Sequence, residues 1–316
     1  MFENFKEKDS PQWEREMLER IALAGIQEQR RARRWGIFFK TLGFLYLFAL
    51  LYLLIGDDFG SSAKVKKHTA MVDVQGIITQ DGAANADLIV SGLRSAFEDA
   101  NTVGVLLRIN SPGGSPVQAG YINDEIVRLR AQYPDIPLYA VITDIGASGG
   151  YYIAASADGI YAARSSIVGS IGVRMDSFGL VDAIDKLGIE RRLLVAGENK
   201  GMLDPFLPLN TQEVAHVQAL LDRVYQHFVE VVKTGRGERL ANDPEVFSGL
   251  IWTGEEALQL GLIDGLGSPG YVAREVIGEA NIVDFTAKKD FFTRMSENLG
   301  VSLARVMSQG LTPSLR

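Results

Sequence analysis

Residues 35–55 read WGIFFKTLGFLYLFALLYLLI, an apolar run of 21 residues interrupted only by Lys40, and no other feature constrains this chain as strongly. At about 1.5 Å of helix rise per residue, such a run crosses a hydrocarbon core of about 30 Å. Lys40 lies near its start, where a long aliphatic stem lets the charge snorkel to the headgroups. A cleaved signal peptide fits poorly, because 34 residues precede the run and only Gly60-Ser61-Ser62-Ala63 follows as a weak cleavage site. The run also exceeds the roughly 7–15 apolar residues of a signal-peptide core. The expectation is one membrane-spanning helix.

Orientation follows from the flanking charges. Arg30, Arg31, Arg33 and Arg34 precede the span, whereas Asp57 and Asp58 follow it, with Lys64, Lys66 and Lys67 further on. The basic side predicts a cytoplasmic N-terminus, a single pass through the membrane, and an extracytoplasmic domain beyond residue 56. Residues 11–34 mix Glu and Arg and read as a charged helix, lying at the inner membrane surface or simply solvated. A net charge of −7 and a pI near 5.2 argue against nucleic acid as a partner. The absence of cysteine removes disulfides, thiolate metal sites and a cysteine nucleophile. No cofactor and no metal are expected.

Residues 56–67 form a Gly/Ser/Lys linker. Beyond it, short apolar runs at 70–74, 103–109, 138–143, 159–163 and 191–195 alternate with helical patterns at 86–100, 116–131, 149–157, 176–187 and 211–233. That alternation predicts an α/β domain with a largely parallel, covered sheet. The clearest helix starts at Asn210, a good N-cap, with Glu213 three residues later in capping-box position. Val214, Val217, Leu221, Val224, Phe228 and Val231 then form one apolar stripe. His216 and His227 lie on the same helix outside the stripe. Their separation of three turns is too great for a shared metal, so they read as surface residues.

Chemistry concentrates at Gly146-Ala147-Ser148-Gly149-Gly150, where an apolar strand turns into a helix. A serine there sits at the positive end of a helix dipole beside free backbone N–H groups. A second glycine-rich turn, Asn110-Ser111-Pro112-Gly113-Gly114, closes an earlier strand. Carboxyl ends of neighbouring parallel strands share one crevice, so the Gly114 and Gly149 amides are candidates for an oxyanion hole. No G-K-[ST] follows either turn, which disfavours a phosphate loop. A histidine triad is improbable: no histidine lies between Ser148 and His216, and both later ones share a helix. Lysine replaces histidine only when it is desolvated, since its ordinary pKa of about 10.4 must fall towards neutrality. Lys200, in VAGENKGMLDPF, is the candidate base, against the alternative of a solvated lysine.

Residues 144–157 (DIGASGGYYIAASA), 167–173 (IVGSIGV), the 110–114 turn and the Lys200 segment resemble the signal peptide peptidase A (SppA) family, related to the protease SohB. Trp252-Thr253-Gly254, Ala257 and Gly261-Leu262-Ile263-Asp264 resemble that family's downstream motif, though Leu250 stands where it often has Arg. These are membrane-bound Ser–Lys proteases of ClpP/crotonase-like fold. The resemblance, over residues 68–270, implies Ser148 as nucleophile and Lys200 as general base. It implies Ser170 as the residue orienting the lysine, and Gly114 and Gly149 as oxyanion donors. It also implies a homo-oligomer whose active sites are shared between chains, acting on peptides such as remnant signal peptides. A crotonase-like acyl-CoA hydrolase or isomerase and a non-catalytic membrane scaffold are the alternatives. The expected plan is a cytoplasmic charged segment (1–34), the span (35–55), the linker (56–67), the protease domain (68–284), and a tail or assembly arm (285–316).

Overall fold

The computed structural model describes residues 11–59 and 66–288. Residues 1–10, most of the linker and the expected tail from 289 onward lie outside them. The chain divides into two compact units, Met1–Val65 and Lys66–Arg316.

In the first unit one helix, α1 (Pro11–Phe59), runs unbroken for 49 residues. No proline follows Pro11 within it, so nothing in the sequence interrupts its hydrogen bonding. Among the described residues it is the one helix long and apolar enough to cross a membrane. The change from charged to apolar sequence at Trp35 is therefore a change of surface within a single helix. Phe44, Tyr46, Phe48 and Tyr52 all stand exposed on it.

The second unit is built on an eight-stranded sheet. Its strands are β1 (His68–Gln75), β2 (Thr102–Ser111), β3 (Leu138–Ala147), β4 (Gly159–Ala162), β5 (Ile167–Gly169), β6 (Ile251–Thr253), β7 (Gly265–Leu266) and β8 (Ile282–Asp284). The order is β6-β5-β3-β2-β1-β8, with β4 and β7 branching from β3, and every pairing except β5–β6 is parallel. Strand β3 forks the sheet. Its first half pairs with β4, Tyr139 to Ile142 against Gly159 to Ala162, and its last three residues pair with β5. Ser148 follows directly at the tip of the forked strand.

Alternate residues of β2 serve two cores: Val105, Leu107 and Ile109 enter the main cluster, while Leu106 joins Val141, Val272 and Ala273. With both faces covered, β2 reads as a continuous apolar run. Helices α2 (Ala86–Glu98), α3 (Pro116–Gln132) and α4 (Gly149–Ala154) contribute to the main cluster. Helix α2 starts where Asn85 Oδ1 accepts the Leu88 N–H at 2.9 Å, and α3 starts with Ser115 as cap and Pro116 in its first turn.

Three local expectations are corrected. Residues 191–195 form no strand: they find no neighbouring strand, and Leu194 is 96% exposed. The helix expected over 176–187 shortens to α5 (Val181–Lys186), with no buried residue to anchor a longer one. Helix α6 (Thr211–Arg236) is capped by Asn210, but Glu213 reaches to the Leu203 N–H at 3.3 Å instead of closing a capping box. The reciprocal box forms at α7 (Gly254–Gln259), between Thr253 and Glu256.

Candidate active site

Ser148 holds φ 52° and ψ −124° at the N-cap of α4, a backbone region that residues with a β-carbon rarely adopt. Two bonds hold it there. Its N–H donates to the Gly169 carbonyl at 2.8 Å, and its own carbonyl accepts the Tyr152 N–H at 2.9 Å. Its hydroxyl caps nothing, and the residue is half-buried.

The Gly113–Gly114 turn is pressed against this serine. At Gly113 (φ 99°) a β-carbon would lie 2.7 Å from both the Gly149 N and the Ser148 Cβ. A β-carbon on Gly149 would lie 3.4 Å from the Gly114 N. Neither amide donates a hydrogen bond among the described residues. Two free N–H groups therefore sit side by side next to a strained serine, the arrangement an oxyanion hole requires. The turn is fixed from behind by Ile78, whose N–H donates to Gly113 O at 2.9 Å and whose carbonyl accepts the Ser115 N–H at 2.8 Å. Sequence reasoning missed Ile78, because an isoleucine in a loop carries no chemical signature.

Ser170 follows Gly169, the acceptor of the Ser148 N–H. It too has a positive φ, 52°, and donates its N–H to Leu250 O at 2.7 Å. The Leu250 side chain is 47% exposed, so its departure from the common arginine alters an outward group while the carbonyl keeps its bond. Lys200 is placed differently. It lies exposed in a turn closed by its own N–H to Gly197 O at 3.1 Å, on a segment without strands. No hydrogen bond or ion pair joins its ammonium to either serine among the described residues. The structure thus brings Ser148, Gly114, Gly149 and the Ser170 turn together, and it gives Lys200 no bond to any of them among the described residues. His216 and His227 are exposed on α6, as expected, whereas His68 is buried, stacked on Phe285.

Beneath α4 lies a polar anchor that sequence reasoning saw only as a motif. The Tyr151 hydroxyl donates to Leu262 O at 2.6 Å, and burial pushes its phenol up, keeping it a donor. Arg236, 1% exposed, donates to both oxygens of Asp264 at 2.7 and 2.9 Å and to Gly261 O at 2.8 Å. Asp264 also accepts the Ile160 N–H at 2.7 Å. Burial alone would raise the Asp264 carboxyl. The Arg236 hydrogen bonds, the Ile160 amide and two guanidinium charges outweigh it and hold the group below the ordinary carboxylate range. The Gly261–Asp264 sequence therefore ties α6, β4 and the helix after Ser148 together.

The model of peptidase family S49 matches residues 130–282. Over 271 residues the chain is 30% identical to the putative signal peptide peptidase SppA of Enterococcus faecium, covering 82% of this chain and 77% of that one. This chain belongs to peptidase family S49. The ClpP-like α/β fold expected from the resemblance is the fold described above. A second relative, the putative protease slr0021 of Synechocystis, is 34% identical over 203 residues, 64% of this chain and 71% of that protein. Identity reaches 43% over 187 residues with a protein named Na(+)/H(+) antiporter NhaA of Brucella melitensis. There the match takes in 59% of this chain but spans only a quarter of the relative's length.

Proposed function

We propose that this chain is a membrane-anchored serine endopeptidase with Ser148 as nucleophile and Lys200 as general base. The observation that carries the reading is the strained Ser148 turn with the unpaired Gly114 and Gly149 amides beside it. In this mechanism Ser148 Oγ attacks the scissile carbonyl as its proton passes to the neutral Lys200 amine. The two amides take the developing oxyanion, and the lysine returns the proton to the leaving amine. Water then hydrolyses the acyl-enzyme, with the same lysine as base. Ser170 hydrogen-bonds the lysine and orients it.

A lysine base must be desolvated, yet Lys200 is exposed within its own chain. Large apolar side chains on the same segment, Phe178, Leu187 and Leu194 among them, are also exposed. Both facts support an assembly in which a second copy covers this segment and Lys200 serves a neighbouring Ser148. Such a heterologous contact repeats around an axis into a closed ring. The apolar run of α1 anchors the chain, with its N-terminus cytoplasmic and the protease unit on the far side. The substrates are peptides released at the membrane, remnant signal peptides among them.

A fluorophosphonate probe tests the reading. It should label wild-type protein at Ser148, and Ser148→Ala should lose labelling and peptide hydrolysis while keeping the wild-type thermal midpoint. Residual activity above a few per cent in folded Ser148→Ala sinks the assignment.

A further inference from the structure

A tryptophan lies against the glycine that links the two serine turns. Gly169 accepts the Ser148 N–H, and the next residue, Ser170, donates to Leu250 O on the neighbouring chain segment. Both serines hold φ 52°, so each persists only while its surroundings enforce it. The enforcing element is slight: β5 and β6 have three residues each, and β6 is the outermost strand of the sheet. Backbone pairing of that length does not by itself fix a strained turn. Trp252 lies beside this turn, pairing with Val168 and packing against the main core. A β-carbon on Gly169 would lie 2.9 Å from Trp252 Cδ1 and 3.5 Å from Nε1, so that edge of the indole lies against the Gly169 backbone.

We propose that Trp252 is a positioning residue: its indole edge sets the Gly169 carbonyl, and through it the backbone of Ser148 and the turn of Ser170. The proposal rests on the serine-peptidase reading above. Trp252 touches no reacting group, and its effect falls on turnover. The Nε1–H is shielded from solvent and has no acceptor among the described residues. Replacing the indole with phenyl therefore changes shape without breaking a hydrogen bond.

The test compares Trp252→Phe and Trp252→Leu in the full chain. Turnover should fall roughly tenfold for Phe and about 100-fold for Leu, the scale expected when a reacting group shifts by about an ångström. KM should stay within about twofold, because the change acts on Ser148 and not on uniform substrate binding. Fluorophosphonate labelling of Ser148 should slow in parallel. A folded Trp252→Leu protein with wild-type kcat, or one in which only KM changes, overturns the inference. A second measurement stands even if both variants fail to fold. The chain has three tryptophans, so Trp13→Phe with Trp35→Phe leaves Trp252 as the sole emitter. Its emission should shift when Ser148 is labelled and stay unchanged in Ser148→Ala; an unchanged emission on labelling also overturns the inference. Wild-type protein that resists labelling overturns the peptidase reading and this inference with it, whereas labelled wild type with an indifferent Trp252 overturns the inference alone.

Discussion

The Ser148 side and the Lys200 side of this molecule are built in opposite ways. Around Ser148, residues 138–171 form strands β3, β4 and β5, helix α4 and the short connections between them, and Ala140, Tyr151, Ile153, Ile160, Val168 and Ile171 are fully buried. Across residues 172–209, by contrast, the only regular element is the six-residue α5, and it buries nothing. Phe178 is 79% exposed, Leu187 73% and Leu209 72%. Scattered apolar residues are ordinary on a protein surface, but a contiguous segment of them marks an interaction site. The difference teaches that one chain packs the surroundings of Ser148 in full and leaves the segment that carries Lys200 open to solvent.

Lysine chemistry gives the sharpest way to break that contrast. Lys200→Arg should be as inactive as Lys200→Ala, since a guanidinium does not give up its proton at working pH. Co-assembling Ser148→Ala with Lys200→Ala in equal amounts should restore about a quarter of the sites if they form between chains. Peptide hydrolysis measured after verified subunit exchange checks this, and no recovery would place both residues within one chain. Ser170→Ala should slow turnover roughly 10- to 1,000-fold, as for a group that orients a base, with folding intact. An unaffected rate would reduce Ser170 to a turn residue.

Leu194→Asp probes the exposed segment itself. Because the side chain is 96% exposed, the stability of the isolated chain should change by no more than about 0.5 kcal/mol. Sedimentation should nevertheless report smaller species, with activity falling in step. An unchanged assembly would mean that the segment is solvated as it stands.

The smallest effect belongs to the well-built side. Glu125 receives Arg94 at 2.6 Å and Arg128 at 2.7 and 2.9 Å, and these hydrogen bonds, Arg128 first, lower its carboxyl to about 2. A depressed acid stabilises the fold above its unfolded value and loses that contribution as pH falls through its folded one. Wild type should therefore exceed Glu125→Gln by about 1 kcal/mol at neutral pH, the upper range for a pair with half-exposed arginines. Denaturant titrations should show the gap closing as pH drops from 4.5 towards about 2. A gap independent of pH would assign the effect to packing.

Sequence made much of this legible where local chemistry dictates structure. The strands around Val105 and Val141 announce themselves as apolar runs, and the turns at Gly113 and Ser148 by glycines that the close approach demands. The caps at Asn85, Ser115 and Asn210 work as their residue types predict. What stayed hidden depends on partners distant in sequence. Leu193-Leu194-Val195 has the composition of a strand but nothing to pair with. Ile78 locks the Gly113 turn, and Trp252 lies against Gly169, only because the fold carries them there. Glu213 abandons its own cap for a backbone amide ten positions back.

The outer edge of β1 has a consequence for how the molecule is made. The first strand described, β1, is flanked on one side by β2 and on the other by β8, the last strand described. Thr69 donates its hydroxyl to Glu279 across 210 residues, and Asp73 donates its amide to Thr286 across 213. Until those residues are synthesised, β1 is an unprotected edge, open to pairing with another chain. Contacts this distant in sequence also form slowly. The sheet therefore closes only after β8 has been synthesised, and a chain that stops before β8 leaves β1 unsealed.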